Sequence, residues 1–245
     1  MNLQFSILAS AVIASTVSLS TWAQPEPTHV RFSIENEVHE FDRIRIKNVQ
    51  EESLGRVMDL SIDLINGRIV EMLVASDSSL DVGPKIVAVP PRAQISDPLG
   101  EVYRLTVSID VIKSAPAIDL SKWSDSGWCD RVPAAYRTFG QEPYFLEEID
   151  TAGTTANRRK LLFDCVERSS RIVRLLVGNL RSQRFGEVYA MTLDIPKGRI
   201  RSFVVLAPGN FETKSIIPAM ALSSNDTRNA LVLDETNLDY ADKPR

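Results

Sequence analysis

Leu54-Gly55-Arg56-Val57-Met58-Asp59-Leu60-Ser61-Ile62-Asp63 returns later in the chain as Phe185-Gly186-Glu187-Val188-Tyr189-Ala190-Met191-Thr192-Leu193-Asp194. Gly55 and Gly186 stand 131 positions apart (186 − 55), and the offset holds without a gap from Arg43/Arg174 to Val74/Val205. Asn48 pairs with Asn179, Asp63 with Asp194, Gly67 with Gly198, and Ile69 with Ile200. A stretch repeated at constant offset is one structural unit used twice. The repeated positions are mostly apolar, glycine or turn residues, which direct folding and carry no reaction chemistry.

Within the first copy, Met58, Leu60, Ile62 and Leu64 alternate with Asp59, Ser61 and Asp63, the period-two pattern of a half-buried strand. Asn66-Gly67 predicts a tight hairpin, because both residues tolerate positive φ, and Arg68–Val74 is the return strand. Lys85–Val89 is a strand ended by Pro90-Pro91, since proline cannot donate to a ladder. Tyr103–Val107 closes the unit. A helical turn over Ile109–Ser114 follows, capped by Ser108 and stopped by Ala115-Pro116. The second copy keeps this order: Val188–Ile195, a turn at Lys197-Gly198, and Ile200–Leu206. Ser215–Pro218 then echoes Val87–Pro90, and Ala230–Leu233 echoes Tyr103–Val107. Lys-Gly is a weaker turn former than Asn-Gly, so a different turn type is expected there. Short strands with Gly/Pro punctuation imply an all-β chain of two small β-barrels in tandem, joined by an irregular, partly helical linker. The expected divisions are a leader (1–23), a lead-in with one strand over His29–Ile34 (24–40), a first unit (41–123), a linker (124–170) and a second unit (171–245).

Phe5–Leu19 is apolar and uncharged, and Thr21-Trp22-Ala23 precedes a polar Gln24-Pro25. The pattern reads as an export leader cleaved after Ala23, although Met1–Gln4 lacks Lys and Arg. The alternative, an uncleaved anchor, has a short apolar run for a span. A periplasmic or secreted product without a stable membrane span is expected. The leader has no charged side chain, so the formal net charge of −4 belongs to the remainder. An acidic product is a poor partner for nucleic acid, whose phosphates need a basic surface. Cys129 and Cys165 both lie in the linker. They either join in a disulfide or pack separately as small apolar groups.

The first copy resembles the PRC-barrel family. The pattern Asn-x6-Gly-x-Val-x-Asp-Leu-x-Ile-Asp-x3-Gly-x-Ile reads here as Asn48, Gly55, Val57, Asp59, Leu60, Ile62, Asp63, Gly67 and Ile69. Gly83-Pro84-Lys85 through Pro90, Leu105-Thr106-Val107, and Ile112 through Pro116 to Trp123 look like the family's later landmarks. The second copy matches to Ile217-Pro218 and thinly after, and it lacks the tail tryptophan. The resemblance implies structural roles for Asn48, Gly55, Asp63, Gly67 and Pro90, and for Asn179, Gly186, Asp194, Gly198 and Pro218. It implies a small barrel that serves relatives as a docking surface, with no catalytic residues to carry over. Fold alone does not give function.

Other constellations have plain readings. Asp59 and Asp63 fall on one strand face, too far apart to share a proton, and Ala190 replaces the first in the second copy; a solvated face is expected. His29 and His39, with Glu35, Glu37 and Glu40, have no convincing metal-ligand spacing. Cys129 sits in no nucleophile motif. Gly-x-Ser-x-Gly and phosphate-binding glycine loops are absent from the sequence. Arg158-Arg159-Lys160 with Arg168, Arg171, Arg174, Arg181 and Arg184 read as a solvated basic face. Trp123, Trp128, Tyr136, Phe139, Tyr144 and Phe145 cluster near the linker. They either pack it onto a barrel or form a partner surface. The expected function is a non-enzymatic exported adaptor binding a protein or envelope component, with no cofactor, metal or catalytic residue. The alternatives are a small-ligand or metal-binding periplasmic sensor and a hydrolase with an unrecognised site.

Overall fold

Alternating runs separated by glycine, proline and acidic turn residues become, among the described residues, the strands of one sheet of fifteen. The computed structural model describes residues 31–34, 37–96, 102–123, 128–145, 166–181, 183–225 and 229–240. In chain order the elements begin with β1 (Arg31–Ile34), β2 (Glu37–Glu40), β3 (Arg45–Asn48), β4 (Ser53–Asp63), β5 (Arg68–Ser76), β6 (Ile86–Val89), β7 (Gln94–Ser96) and β8 (Val102–Leu105). Then come α1 (Ile109–Ser114), α2 (Trp128–Thr138), β9 (Val166–Arg168) and α3 (Ser169–Ile172). The chain continues through β10 (Leu176–Asn179), β11 (Arg184–Asp194), β12 (Arg199–Ala207), β13 (Asn210–Pro218), β14 (Leu222–Ser224) and β15 (Ala230–Leu233). The leader, His29 and Cys165 lie outside the described residues, as do the side chains of His39, Trp128 and Cys129, so the pairing of the two cysteines does too.

The duplication extends to irregularities. β3, β4 and β5 begin and end where β10, β11 and β12 do, at the offset of 131 (176 − 45). Register shifts in β4–β5 at Val57/Asp59 and Ser61/Ile62 recur in β11–β12 at Val188/Ala190 and Thr192/Leu193. The shift at Ile46/Lys47 recurs at Val177/Gly178. After β5 the offset drops to 128 (222 − 94). There, β5 reaches β6 by way of a 3-10 turn at Ser78–Leu80, whereas β12 turns directly into a longer β13.

Local chemistry explains the repeated residues. The Asn48 side-chain oxygen accepts the amides of Gln50 (3.0 Å) and Glu52 (2.9 Å), and its amide donates to the Glu52 carboxylate. Asn179 does the same with Arg181 (3.0 Å) and Gln183 (2.9 Å), fixing the β10–β11 turn. A Cβ on Gly55 would lie 2.1 Å from the Ala75 carbonyl oxygen, and one on Gly186 would lie 2.3 Å from that of Leu206. Both strands pass too close to a neighbour's backbone for any side chain.

The two hairpin turns correct the sequence reading. Each has four loop residues, Leu64–Gly67 and Ile195–Gly198, between the pairs Asp63↔Arg68 and Asp194↔Arg199. Asn66 keeps negative φ; Gly67 (φ 58°) and Gly198 (φ 65°) alone carry the left-handed conformation in these turns. The expected difference in turn type is absent. Asp63 fixes its turn by accepting the amides of Ile65 and Asn66, and Asp194 accepts that of Lys197. The carboxylate supplies what the Asn-Gly pair was expected to supply. The helix α1 forms where expected, but Ser108 makes no side-chain cap to it.

The all-β expectation holds, and the hydrogen-bonded order is open, from β14 through β15-β10-β11-β12-β5-β4-β3-β8 to β7. The copies do not stand apart. Ile46, Leu60, Met72 and Leu105 share one buried cluster with Val177, Met191, Phe203 and Leu231. The arm ahead of each copy pairs with the other copy's long strand. β1 lies parallel to β11 (Phe32↔Met191), and β9 lies antiparallel to β4 (Ile62↔Glu167). The linker, expected to be irregular and partly helical, therefore also adds a strand to the first copy. A second cluster joins Val70 and Leu73 of β5 to Val132 and Tyr136 of α2, with Trp123, Phe145 and Val166.

The junction between the copies as candidate functional site

β5 meets β12 through one antiparallel pair, Arg68↔Arg199. On either side of it, the Ile69 amide donates to the Gly198 carbonyl and the Ile200 amide to the Gly67 carbonyl, both at 2.8 Å. Because these residues correspond in the repeat, the two bonds are related by a local two-fold. The relation continues outward. A Cβ on Gly198 would meet Pro91 at 3.3 Å, and a Cβ on Gly67 would meet Ala219 at 3.4 Å. Pro91 and Ala219 each open the 3-10 turn that follows β6 and β13, respectively.

The two sides of this axis are finished differently. On one side Tyr144 covers Gly198, its hydroxyl donating to the Gly198 carbonyl (2.9 Å) and lying 3.4 Å from that of Ile69. The Arg92 guanidinium sits 3.8 Å above the Tyr144 ring. Burial pushes the Tyr144 hydroxyl up from its usual pKa, against the pull of Arg92, Arg68 and Arg199, so it stays a neutral donor. On the other side stand Ile65, in the turn that holds Gly67, and Met220, next to Ala219, exposed by 63% and 79%. Met220 occupies the place of Arg92 in the second copy, at the offset of 128.

Two buried acids belong to the structure of the linker. Asp59 was expected on a solvated face with Asp63, but both are buried. The Asp59 carboxylate accepts from the Leu60 amide, the Ser169 hydroxyl, and the Ser170 amide and hydroxyl, which anchors the start of α3. Ala190 replaces it in the second copy, where β1 rather than a serine pair lies beside β11. Glu71, fully buried, accepts from Arg131 of α2 (2.7 Å) and from the Ser61 hydroxyl (3.2 Å). Its other oxygen, Oε1, has no hydrogen-bond partner among the described residues. Desolvation pushes the Glu71 carboxyl up, opposed by Arg131 and Ser61. A lone acid in the apolar run Ile69-Val70-Glu71-Met72-Leu73 was a signal that sequence reasoning passed over.

The linker aromatics with described side chains are packed into the fold. Trp123, Tyr136, Phe139 and Phe145 are buried, and Tyr144 is half-buried. The Tyr136 hydroxyl donates to the Val70 carbonyl (2.7 Å), and Phe145 meets both tyrosines edge-on. They pack α2 onto β5. A cavity of about 400 Å³ remains between Ala88 of β6, the Ala115–Ile118 segment and Ala134, Ala135 and Phe139 of α2, with Asp130 and Arg131 at its wall. Of the basic residues, Arg168 stacks near Trp123 and Arg171 pairs with Glu167 (3.3 Å), while Arg174, Arg181 and Arg184 are exposed. Pro90 is buried beside the 3-10 turn, and Pro218 ends β13.

Among the described residues, no group of three or more His, Cys, Asp and Glu side chains could hold a metal, and no helix is long and apolar enough to cross a membrane. The chain matches no family model and no curated protein.

Proposed function

We propose that this chain is a non-enzymatic, exported adaptor of the PRC-barrel type that binds another protein or an envelope component. Each copy supports the barrel reading through its ring of neighbours. β6 pairs with β5, β7 with β8 and β8 with β3, and the turn from Pro90 to Ala93 is all that separates β6 from β7. β13, β14, β15 and β10 repeat the scheme.

The observation that carries the adaptor reading is the exposure of Ile65 and Met220 beside the junction, with Ile216 also exposed on β13. Single exposed apolar residues are ordinary; large ones beside a conformationally fixed turn favour an interface. The strand acids support the same reading: Asp59 is spent on backbone and hydroxyl bonds, Asp63 on its turn, and Asp194 on its turn and the Arg201 and Lys197 side chains. A photo-crosslinking residue at Met220 should capture an envelope component that the same residue at exposed Ser79 does not. Equal labelling from both positions, or none, ends the reading.

A second reading, a small-ligand sensor, is favoured by the cavity beneath α2, whose volume of about 400 Å³ suits a small molecule. Filling it with Ala134→Leu should abolish any ligand-induced rise in melting temperature.

A further inference from the structure

We propose that the open side of the junction is a receptor for a tyrosine-bearing segment of the partner, in the pose that Tyr144 takes on the closed side. This rests on the adaptor reading above and names the chemistry of what docks.

The molecule contains its own template. The local two-fold relates Gly198 to Gly67, Ile69 to Ile200, Pro91 to Ala219 and Arg92 to Met220. On the closed side the Tyr144 hydroxyl fills the space beside Gly198, 2.6 Å from where a Cβ would stand. Beside Gly67, a Cβ would meet nothing nearer than Ala219 at 3.4 Å and the Ile200 carbonyl oxygen at 3.9 Å. The glycine that one tyrosine covers thus occurs twice, and among the described residues a tyrosine covers only one of the two.

The open copy keeps what recognises the phenol. The Gly67 carbonyl accepts the Ile200 amide as the Gly198 carbonyl accepts that of Ile69. A carbonyl oxygen has two lone pairs, and on the closed side the second takes the Tyr144 hydroxyl. One rim position changes from charged to apolar, while Val70 gives way to Arg201, which is paired with Asp194. Arg92, which stacks on the Tyr144 ring, becomes Met220, whose thioether also packs well against aromatic rings. Pro91 becomes Ala219, which widens the entrance, and Ile65 stands where the second turn has Pro196. An aromatic ring arriving from outside would cover the apolar rim, and its hydroxyl would reach the carbonyl that a phenylalanine leaves unused.

The test is a titration of the full chain, isotope-labelled for NMR, with the peptide Gln-Glu-Pro-Tyr-Phe, the sequence of residues 141–145. Saturable shifts at the amides of Gly67, Ile200 and Met220 are expected. The tyrosine-to-phenylalanine peptide should bind about five- to tenfold more weakly, the worth of one hydrogen bond. Met220→Glu should lose binding by more than tenfold, and Met58→Glu, on exposed β4 surface, should not. Met220 is exposed, so its replacement leaves folding intact, which an unchanged melting curve checks. Absence of saturable shifts, shifts confined to Gly198, or equal affinity for both peptides would overturn the tyrosine receptor. If crosslinking from Met220 still captured a partner in that case, the adaptor reading would survive while this inference fell.

Discussion

Arg68 and Arg199 face one another across the single residue pair that joins β5 to β12. Like charges directly opposite in an antiparallel ladder repel. Arg199 is exposed and Arg68 half-buried, so the repulsion is screened but not abolished. Arg199→Glu should therefore stabilise the chain by about 0.2–1 kcal/mol, measured by urea denaturation at low salt, and the gain should shrink as salt is added. A loss of stability would mean that Arg199 has a role at the junction beyond occupying the pair.

Gly55→Ala and Gly186→Ala should each destabilise severely, by about 3 kcal/mol or more, because a methyl would overlap a neighbouring carbonyl. Gly83→Ala is the control. It has open space around it and a positive φ of 70°, so its cost should stay near 1 kcal/mol. Midpoints and m-values from denaturant melts distinguish these cases.

Asp59→Ala should cost about 2–4 kcal/mol, since it strands the buried Ser169 hydroxyl and the Ser170 donors. Amide exchange should accelerate first at Ser170 and its neighbours, where the carboxylate holds α3. Uniform acceleration throughout the chain would mean that the bond has no local role.

Glu71 gives a signed pH dependence. Burial raises its folded-state pKa above the ordinary 4.5. Its contribution is therefore complete below about pH 4.5 and declines as pH rises through the raised value. Glu71→Gln removes that decline, so the stability of the variant relative to the parent should improve as pH rises above about 4.5. A difference that stays flat over this window, read from melts at each pH, would contradict the raised value.

Asn48→Ala and Asn179→Ala break the same turn twice. Asn48 is buried and Asn179 half-buried, so the first should cost more, about 2 kcal/mol against about 1. Differential scanning calorimetry of both variants tests the order.

Much of this was legible in sequence because it is local. The β4–β5 pairing follows from alternation around one turn, α1 ends where Ala115-Pro116 stops it, and Ala230–Leu233 is a strand at those limits. What depends on distant partners was not legible. Two or three residues such as Val166–Arg168 have too little pattern to reveal a pairing with Ile62, roughly a hundred positions away. Asp59 looked solvated because its neighbours alternate, and the residues that cover it, Ser169 and Ser170, come from the end of the linker, about 110 positions away. The aromatic residues were visible, but composition cannot tell packing from presentation. The open side of the junction was hidden for a different reason: it consists of a difference between two copies, which shows only when their surroundings are superposed.

The reciprocal arms bear on how the chain comes to be folded. The first copy lacks a neighbour for one stretch of its longest strand until residue 168 has been delivered, and the second needs a ribbon supplied before residue 35. A chain emerging end-first from a ribosome or an export channel would hold its early half unfinished, with an unprotected border, through most of its passage. Severing it between the copies would leave two pieces that each miss a strand supplied by the other.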